Sequence, residues 1–393
     1  MTRRLVLLLV WGLFLAASVE LTSRLVLFPE YTAMLPDMYA PHPVMGHYNK
    51  PNIEVRRFNP MNYDVINHTN SLGLRGLERN REKELAGIWI AGASNTFGGY
   101  VGDDEIFSAR LRGYGYWAAN LASEDHTIDQ QVLAVRYLAR EGYRPRAVLL
   151  SLPLFHVIRD YSGKHDAFTR PLDEGFSRVE KADRPRDRLL SAAEGLVGAF
   201  PRSAQSVRAR LLKSSAFYGW LKVGIMGVPA LRDWTLRTGL RNDLDYVANF
   251  DVDLLRAYGD GNKSQATIDS TADYVAAFGG MVREKFGVPF GAVLLPAHLQ
   301  LHPRSFRRFV EHYGLTGQYL DARRPSEALR KALTERGVPV LDPYPELMNS
   351  GIGRMTFPDD GHMIPAAHAV VAETIAGWLA RGMGSGKPIE PTR

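Results

Sequence analysis

Gly87-Ile88-Trp89-Ile90-Ala91-Gly92-Ala93-Ser94-Asn95-Thr96-Phe97-Gly98-Gly99 decides how the chain is read. A short apolar run ends in a glycine, which suits a buried strand entering a tight turn. Similar runs follow: Ala147-Val148-Leu149-Leu150-Ser151-Leu152, then Gly291-Ala292-Val293-Leu294-Leu295-Pro296, then Val338-Pro339-Val340-Leu341. Residues 127–141 carry apolar side chains at helical spacing, with Ile128, Val132, Val135, Leu138 and Ala139 on one face. Residues 365–380 read as a closing helix with Pro365 in its first turn. Strands alternating with helices imply an α/β fold with a mostly parallel sheet covered on both faces.

Outward from this rhythm the texture changes. Residues 30–85 are rich in Pro, Tyr and Asn, with short mixed runs such as Ile53-Glu54-Val55, and read as loops and short strands. Residues 161–265 interrupt the strands with Arg-rich helical patterns and a cluster of Tyr218, Trp220 and Trp234, and read as a helical insertion. Between 178 and 213 there are nine basic and four acidic residues. That excess suits a solvated helix face, or contact with anionic lipid head groups or an acidic glycan. There is no internal repeat, and 384–393 reads as a tail. The expected organisation is a membrane anchor or signal segment at 1–28, loops and short strands at 29–85, the main domain at 86–383, and the tail.

The N-terminus bears on location. Arg3 and Arg4 precede an uncharged run at 5–19. At ~1.5 Å per residue this run spans about 22 Å, short of a ~30 Å hydrocarbon core. Apolar residues resume beyond Glu20, at Leu21, Leu25 and Phe28. Three readings fit. One is an uncleaved anchor whose arginines stay in the cytoplasm. Another is a signal peptide with Ala16 and Ser18 at its cleavage site. The third is a buried soluble helix. The first two export the bulk of the chain. They place it at a bacterial inner membrane as a single-pass protein with a periplasmic main domain, or as a secreted protein after cleavage.

Composition excludes several classes. With 393 residues, 45% hydrophobic and 23% charged, the chain is not wholly disordered, collagenous, a coiled coil or multi-spanning. Its net charge of +6 is too small to specify an acidic partner, and nothing suggests nucleic-acid readout. The absence of cysteine removes disulfides, a thiolate nucleophile and a cysteine zinc site.

Two short segments carry chemistry. The first is Ser94, just past a strand at the carboxyl edge of a parallel sheet, where such sheets place their sites. A phosphate loop would need Lys-Ser/Thr after the glycines, and a nucleophile elbow would need Gly at position 96, which is Thr. A helix N-cap serine is the alternative. The second segment begins 263 residues on: Phe357-Pro358-Asp359-Asp360-Gly361-His362-Met363-Ile364-Pro365. An aspartate three residues before a histidine lets the carboxylate reach the far imidazole nitrogen, fix the tautomer and support an imidazolium. Capping aspartates on a loop before a helix are the alternative.

Together these segments resemble the SGNH/GDSL hydrolase superfamily over roughly residues 68–381. Gly92-Ala93-Ser94 with Phe97-Gly98 resembles the Gly-Asp-Ser block. Asn120-Leu121 with Gln130-Gln131 resembles the second block, and Asp359-Asp360-Gly361-His362 with Pro365, His368 and Ala372 the last. Asn70-Ser71-Leu72-Gly73-Leu74-Arg75-Gly76 looks like the lead-in of membrane-anchored bacterial members, and residues 339–343, with Asp342, like the strand before the last block. The resemblance implies a three-layer α/β/α sandwich with a flavodoxin-like sheet. It implies Ser94 as nucleophile, His362 as general base and Asp359 as its orienter.

The chain departs from the family at three places. Ala93 replaces the usual aspartate before the serine. Asp125 stands where an oxyanion-donating glycine is usual, so its backbone N–H is the candidate donor and its carboxylate opposes the charge. The third block's asparagine has no match between 141 and 161, and His156 is the nearest substitute. The oxyanion candidates are therefore Ser94, Asp125 and His156. His298 and His302 are spaced as two ligands on a helix, but Pro296 and Pro303 argue for a loop with no acidic third ligand. No metal and no cofactor is expected. His368 is expected to pack rather than react.

The expected function is a serine esterase removing an acyl group from an exported or cell-surface molecule, such as an acylated carbohydrate or a small ester. An O-acetyltransferase acting on an extracellular polysaccharide, and a non-catalytic assembly protein that kept the fold, are the alternatives.

Overall fold

The computed structural model describes residues 2–34, 37–59, 62–153, 214–228, 230–231, 234, 261–312, 321–357, 361–384 and 387–391. The chain divides into two compact units. One holds Met1–Asp37, Arg56–Asp64 and Lys181–Asn242, and the other holds Met38–Val55, Val65–Glu180 and Asp243–Arg393.

In chain order the elements begin with helix α1 (Thr2–Thr22), then strands β1 (Tyr39–His42), β2 (Gly46–Asn49), β3 (Glu54–Asn59) and β4 (Tyr63–His68). Next come α2 (Arg81–Leu85), β5 (Ile88–Ala91), α3 (Ser94–Phe97), α4 (Phe107–Arg110), β6 (Ala118–Asn120), α5 (Ile128–Arg140) and β7 (Ala147–Pro153). After α6 (Ala216–Gly227) follow α7 (Gly261–Phe286), β8 (Phe290–Leu295), α8 (His298–Leu301), α9 (Pro303–His312) and α10 (Arg324–Glu335). The chain closes with β9 (Val340–Leu341), α11 (Tyr344–Asn349) and α12 (Pro365–Ala380). Most of the expected insertion at 161–265 lies outside the described residues; α6 is the helix described within it.

β5 to β9 form one five-stranded sheet in the order β6-β5-β7-β8-β9. Every pairing is parallel, with Ile88 opposite both Ala118 and Ala147, Val148 opposite Phe290, and Ala292 opposite Val340. Counted along the sheet this is the 2-1-3-4-5 winding of flavodoxin-like folds. The direction of winding reverses between β5 and β7, so the crevice beyond their carboxyl ends is where such a sheet takes a ligand.

Each strand is buried on both faces because alternate side chains enter different cores. On one face Trp89, Val148, Leu150 and Ala292 pack with Val132 and Val135 of α5, Val275 and Phe278 of α7, and Leu329 of α10. On the other Ile88, Ile90, Leu149 and Val293 pack with Phe107 of α4 and with Val371 and Ile375 of α12. The fold is therefore an α/β/α sandwich. The helices start where the sequence places them. Thr127 caps α5, and the Gln130 side chain accepts the Thr127 N–H at 2.9 Å, a capping box. Pro365 occupies the first turn of α12. Residues 298–301 depart from expectation, since they form one helical turn rather than a loop. The prolines stop that turn from running on without preventing it.

In the smaller unit, α1 continues as a wider π-type turn over Ser23–Leu27. Val6–Leu27 is long and apolar enough to cross a membrane, a property it shares with signal sequences. A small core of Phe28, Tyr31 and Ala216, flanked by Phe58 and Val223, closes this unit.

Candidate active site

β5 delivers the chain to the crevice and Gly92 begins the turn. A Cβ at Gly92 would collide with the Thr96 side chain, so only glycine lets α3 fold back this closely. Ala93 is the residue before the helix and Ser94 its first residue, so Ser94 is not a cap. Gly98 ends the turn at φ 67°, ψ 41°, a left-handed position suited to glycine, and its N–H donates to the Ser94 carbonyl at 2.9 Å. Ser94 and Asn95 are half-buried, while Thr96 and Phe97 are buried.

Buried polar contacts fix this turn to its neighbours. The Thr96 hydroxyl donates to Ser151 Oγ on β7 at 2.8 Å. Asn120, at the end of β6, donates through Nδ2 to the Thr96 carbonyl at 2.7 Å and to Ser108 Oγ at 2.9 Å. Its Oδ1 accepts from the Ala122 N–H at 3.1 Å. Arg75, in the lead-in segment, ion-pairs with Asp103 and donates to the Val101 carbonyl at 3.1 Å, holding the loop that leaves α3.

The second segment comes to the same place. The Met363 N–H donates to Asn95 Oδ1 at 3.1 Å. The residue after His362 is thereby bonded to the residue after Ser94, across 268 positions of sequence. The nearly buried His362 ring stacks on Tyr100, with centroids 4.0 Å apart and planes 27° apart. Its backbone belongs to a narrow hairpin. The Phe357 N–H donates to the His362 carbonyl, Ile364 N–H to the Met355 carbonyl, and Thr356 bridges Met363. Asp359 and His156 lie outside the described residues.

Two histidines brace the hairpin. Thr356 Oγ1 lies 2.7 Å from His298 Nδ1 and 2.9 Å from His302 Nε2. A hydroxyl has one proton, so it donates to one ring nitrogen and accepts from the other. Burial pushes the His302 pKa down to about 4, with the Arg354 charge adding to the effect, which keeps this ring neutral near pH 7. His298 and His302, spaced like metal ligands, here converge on a hydroxyl. His368 is buried, stacks on Phe107 and accepts the Phe107 N–H at 3.3 Å through Nδ1. Burial first, then Arg110, His362 and Arg75, push its pKa down to about 3. Asp342 ion-pairs with Arg323 and accepts the Tyr344 N–H at 3.1 Å, a bracing role beyond β9.

Asp125 is exposed and has φ 58°, in the left-handed region. This backbone is one that glycine adopts freely, here carrying a carboxylate, and aspartate is among the side chains that tolerate it. Asn95, Tyr100 and Thr356 were not singled out by sequence. Asn95 alone left a signal, as a polar residue beside Ser94.

No family model matches the chain. No curated protein matches it either. Among solved structures it has a loose likeness to LAE5, an alpha/beta hydrolase enzyme from the metagenome of Lake Arreo, Spain. The identity is 11% and the TM-score 0.34, over 76% of this chain and 95% of that one. A likeness this loose assigns no role to any residue. The chain's own sheet fixes the class as α/β.

Proposed function

We propose that this chain is an SGNH-type serine esterase, anchored by α1 and acting on an O-acyl ester outside the cytoplasm. The observation that carries the reading is the hydrogen bond from the Met363 N–H to Asn95 Oδ1. It joins the serine turn to the histidine hairpin at the winding reversal of a parallel sheet, a meeting that a cap serine and an unrelated helix-leading loop would have no reason to make. The flavodoxin-like strand order and the left-handed backbone at Asp125 both agree with the family resemblance.

In this mechanism Ser94 Oγ attacks the ester carbonyl while His362 takes its proton. The tetrahedral oxyanion is met by the Ser94 N–H, with the Asp125 N–H and His156 as further donors. Collapse breaks the ester bond, and His362 returns the proton to the departing alcohol. Water then attacks the acyl-serine, giving its proton to His362, and the carboxylic acid leaves as Ser94 is reprotonated. Asp359 holds the imidazole through its other nitrogen.

The test is hydrolysis of p-nitrophenyl acetate by the full chain in detergent, with labelling by a fluorophosphonate. Ser94→Ala is expected to abolish labelling and to lower turnover by ~10⁴-fold or more. Equal rates for the two proteins across several acyl lengths, with no labelling, would remove the esterase. Labelling with turnover appearing only when a sugar acceptor is added would identify a transferase.

A further inference from the structure

α6 is apolar, aromatic and uncovered. Its sequence, AFYGWLKVGIMG, holds one charge, Lys222. Twelve residues rise about 18 Å, too short to cross a ~30 Å hydrocarbon core. A helix of this length and composition usually serves as a buried core helix or lies at a membrane interface. This one has one thin buried side. Ala216 is buried, Gly219 sits so close to Phe28 that a Cβ would stand 3.2 Å from the ring, and Val223 packs on the same cluster. The other side is open, with Trp220 37% and Leu221 42% exposed and Phe217 stacked on Trp220. The chain beyond it continues the patch, through Val228 and Leu231 to Trp234 at 54%.

The depth of α6 is set by its bonds to α1, which belongs to the same unit. Glu20 accepts from the Ala216 N–H and from Ser215 Oγ, each at 2.8 Å, and from Arg24 Nε at 2.8 Å. Arg24 Nη2 donates to the Ser214 carbonyl at 3.1 Å. Glu20 and Arg24 fall inside the apolar stretch Val6–Leu27. Fourteen residues past Val6, Glu20 stands about 21 Å along the helix, still within a ~30 Å core. Charges at such a depth need partners from the protein, and the first turn of α6 supplies them. α6 therefore starts at the level of the last turns of α1, with its aromatic face outward.

We propose that α6 is a second membrane contact: a helix lying in the boundary between head groups and acyl chains of the leaflet in which α1 ends. The partner is the lipid bilayer itself, met through Phe217, Trp220, Leu221 and Trp234, and the contact is continuous with the lipid-facing surface of α1. Tryptophan and tyrosine favour this boundary, and an interfacial helix sinks about 5–10 Å into it. The inference rests on α1 being an uncleaved anchor, and its test separates the two.

The chain has no cysteine, so a single introduced one carries a single nitroxide. Leu13→Cys, Leu221→Cys and Lys331→Cys change exposed side chains on α1, α6 and α10. Each full-length variant is labelled, reconstituted in phosphatidylcholine–phosphatidylglycerol vesicles, and read by power-saturation EPR against oxygen and a water-soluble nickel chelate. The label at 13 is expected deep in the core, the one at 331 in water, and the one at 221 at about 5–10 Å depth, favouring oxygen. A label at 221 as open to nickel as the one at 331, with 13 deep, overturns the α6 contact and leaves the anchor standing. A label at 13 in water overturns both. A label at 221 shielded from both reagents, with spin–spin broadening relieved by unlabelled protein, assigns the face to a second copy and overturns the proposal.

Discussion

Leu149 on β7 and Leu13 on α1 are the same side chain in apolar runs, yet Leu149 is fully buried and Leu13 is 71% exposed. The sheet unit spreads its apolar residues over short strands, each covered above and below by helices, and so provides its own interior. The unit built on α1 and α6 gathers many of them into one long helix and leaves them outward. The difference lies in run length. Four to seven residues bounded by turns can be enclosed by a single domain, while 21 in one helix outrun the covering that a short neighbour such as α6 provides.

The sharpest way to break this contrast is to truncate both leucines. Leu149→Ala leaves a cavity between β7 and α12 and is expected to cost about 2–5 kcal/mol. Leu13→Ala trims a side chain that is 71% exposed and should cost less than about 0.5 kcal/mol. Hydrogen exchange of the β7 amides in the full chain, held in detergent, reads both. A ~30-fold or greater loss of protection is expected for the first and none for the second. Equal losses would mean that α1 is part of the sheet unit's core.

The same contrast explains what was legible in the sequence. Runs at 88–91, 147–153 and 290–295 could be seen because strands buried on both faces lack alternation. β6 escaped, since Ala118-Ala119-Asn120 is short and has little apolar bulk; its place on the edge comes from pairing with β5. α7 and α10 were not read from the sequence, although each sets apolar residues such as Val275, Phe278 and Leu329 at helical spacing against the sheet. Ser94 and His362 were visible as polar residues at breaks in apolar rhythm. The Asn95, Tyr100 and Thr356 contacts were not, because each joins segments far apart in sequence, and nothing local to either segment announces the other.

Acid offers a second and smaller way to separate the units. All eleven histidines fall outside the residue ranges of the α1 unit. His126 is buried against His47 and His42, and burial pushes its pKa down to about 4. His368, beside Arg110, His362 and Arg75, is pushed to about 3. For both, the folded state favours the neutral ring. The associated stability is fully present above about pH 6.5 and is lost as pH falls toward the folded values. Each group contributes up to about 1.4 kcal/mol per pH unit in that window, so the pair removes up to about 3 kcal/mol from the sheet unit between pH 6 and 5. His302, also pushed down to about 4, adds to the fall, so His368→Gln should lower the slope by between a third and a half. Protection of α6 amides should stay flat over the same range, and a matching fall there would join the two units into one.

Within the sheet unit, the Thr356 brace should affect chemistry more than folding. Thr356→Val removes the hydroxyl between His298 and His302 and frees the hairpin that carries His362. On the esterase reading, kcat is expected to fall about 10-fold, equal to ~1.4 kcal/mol, with KM little changed, because positioning of the base matters only once substrate is bound. Thr356→Ser should restore most of the rate. A rise in KM at constant kcat would place Thr356 in substrate binding instead.

The smallest effect, at Asp125, separates backbone from charge at one residue. Its φ of 58° is a conformation that a Cβ makes costly by about 1–2 kcal/mol for most residues and less for aspartate or asparagine. Asp125→Gly relieves that cost but gives the unfolded chain more freedom, worth about 0.4–1 kcal/mol, so stability should barely move. Asp125→Ala keeps the strain and loses the tolerant side chain, and should be less stable by about 1 kcal/mol. On the esterase reading, the carboxylate stands near a developing oxyanion and opposes it, as like charges do. Asp125→Asn keeps the left-handed backbone and removes only the charge. If repulsion limits the rate, Asn and Gly should raise turnover of p-nitrophenyl acetate by the same few-fold factor, and added salt should shrink the difference from wild type. If only Gly raises it, the limit is the aim of the backbone N–H. If neither does, this residue lies too far from the reacting carbonyl to serve as a donor, and the oxyanion is left to Ser94 and His156.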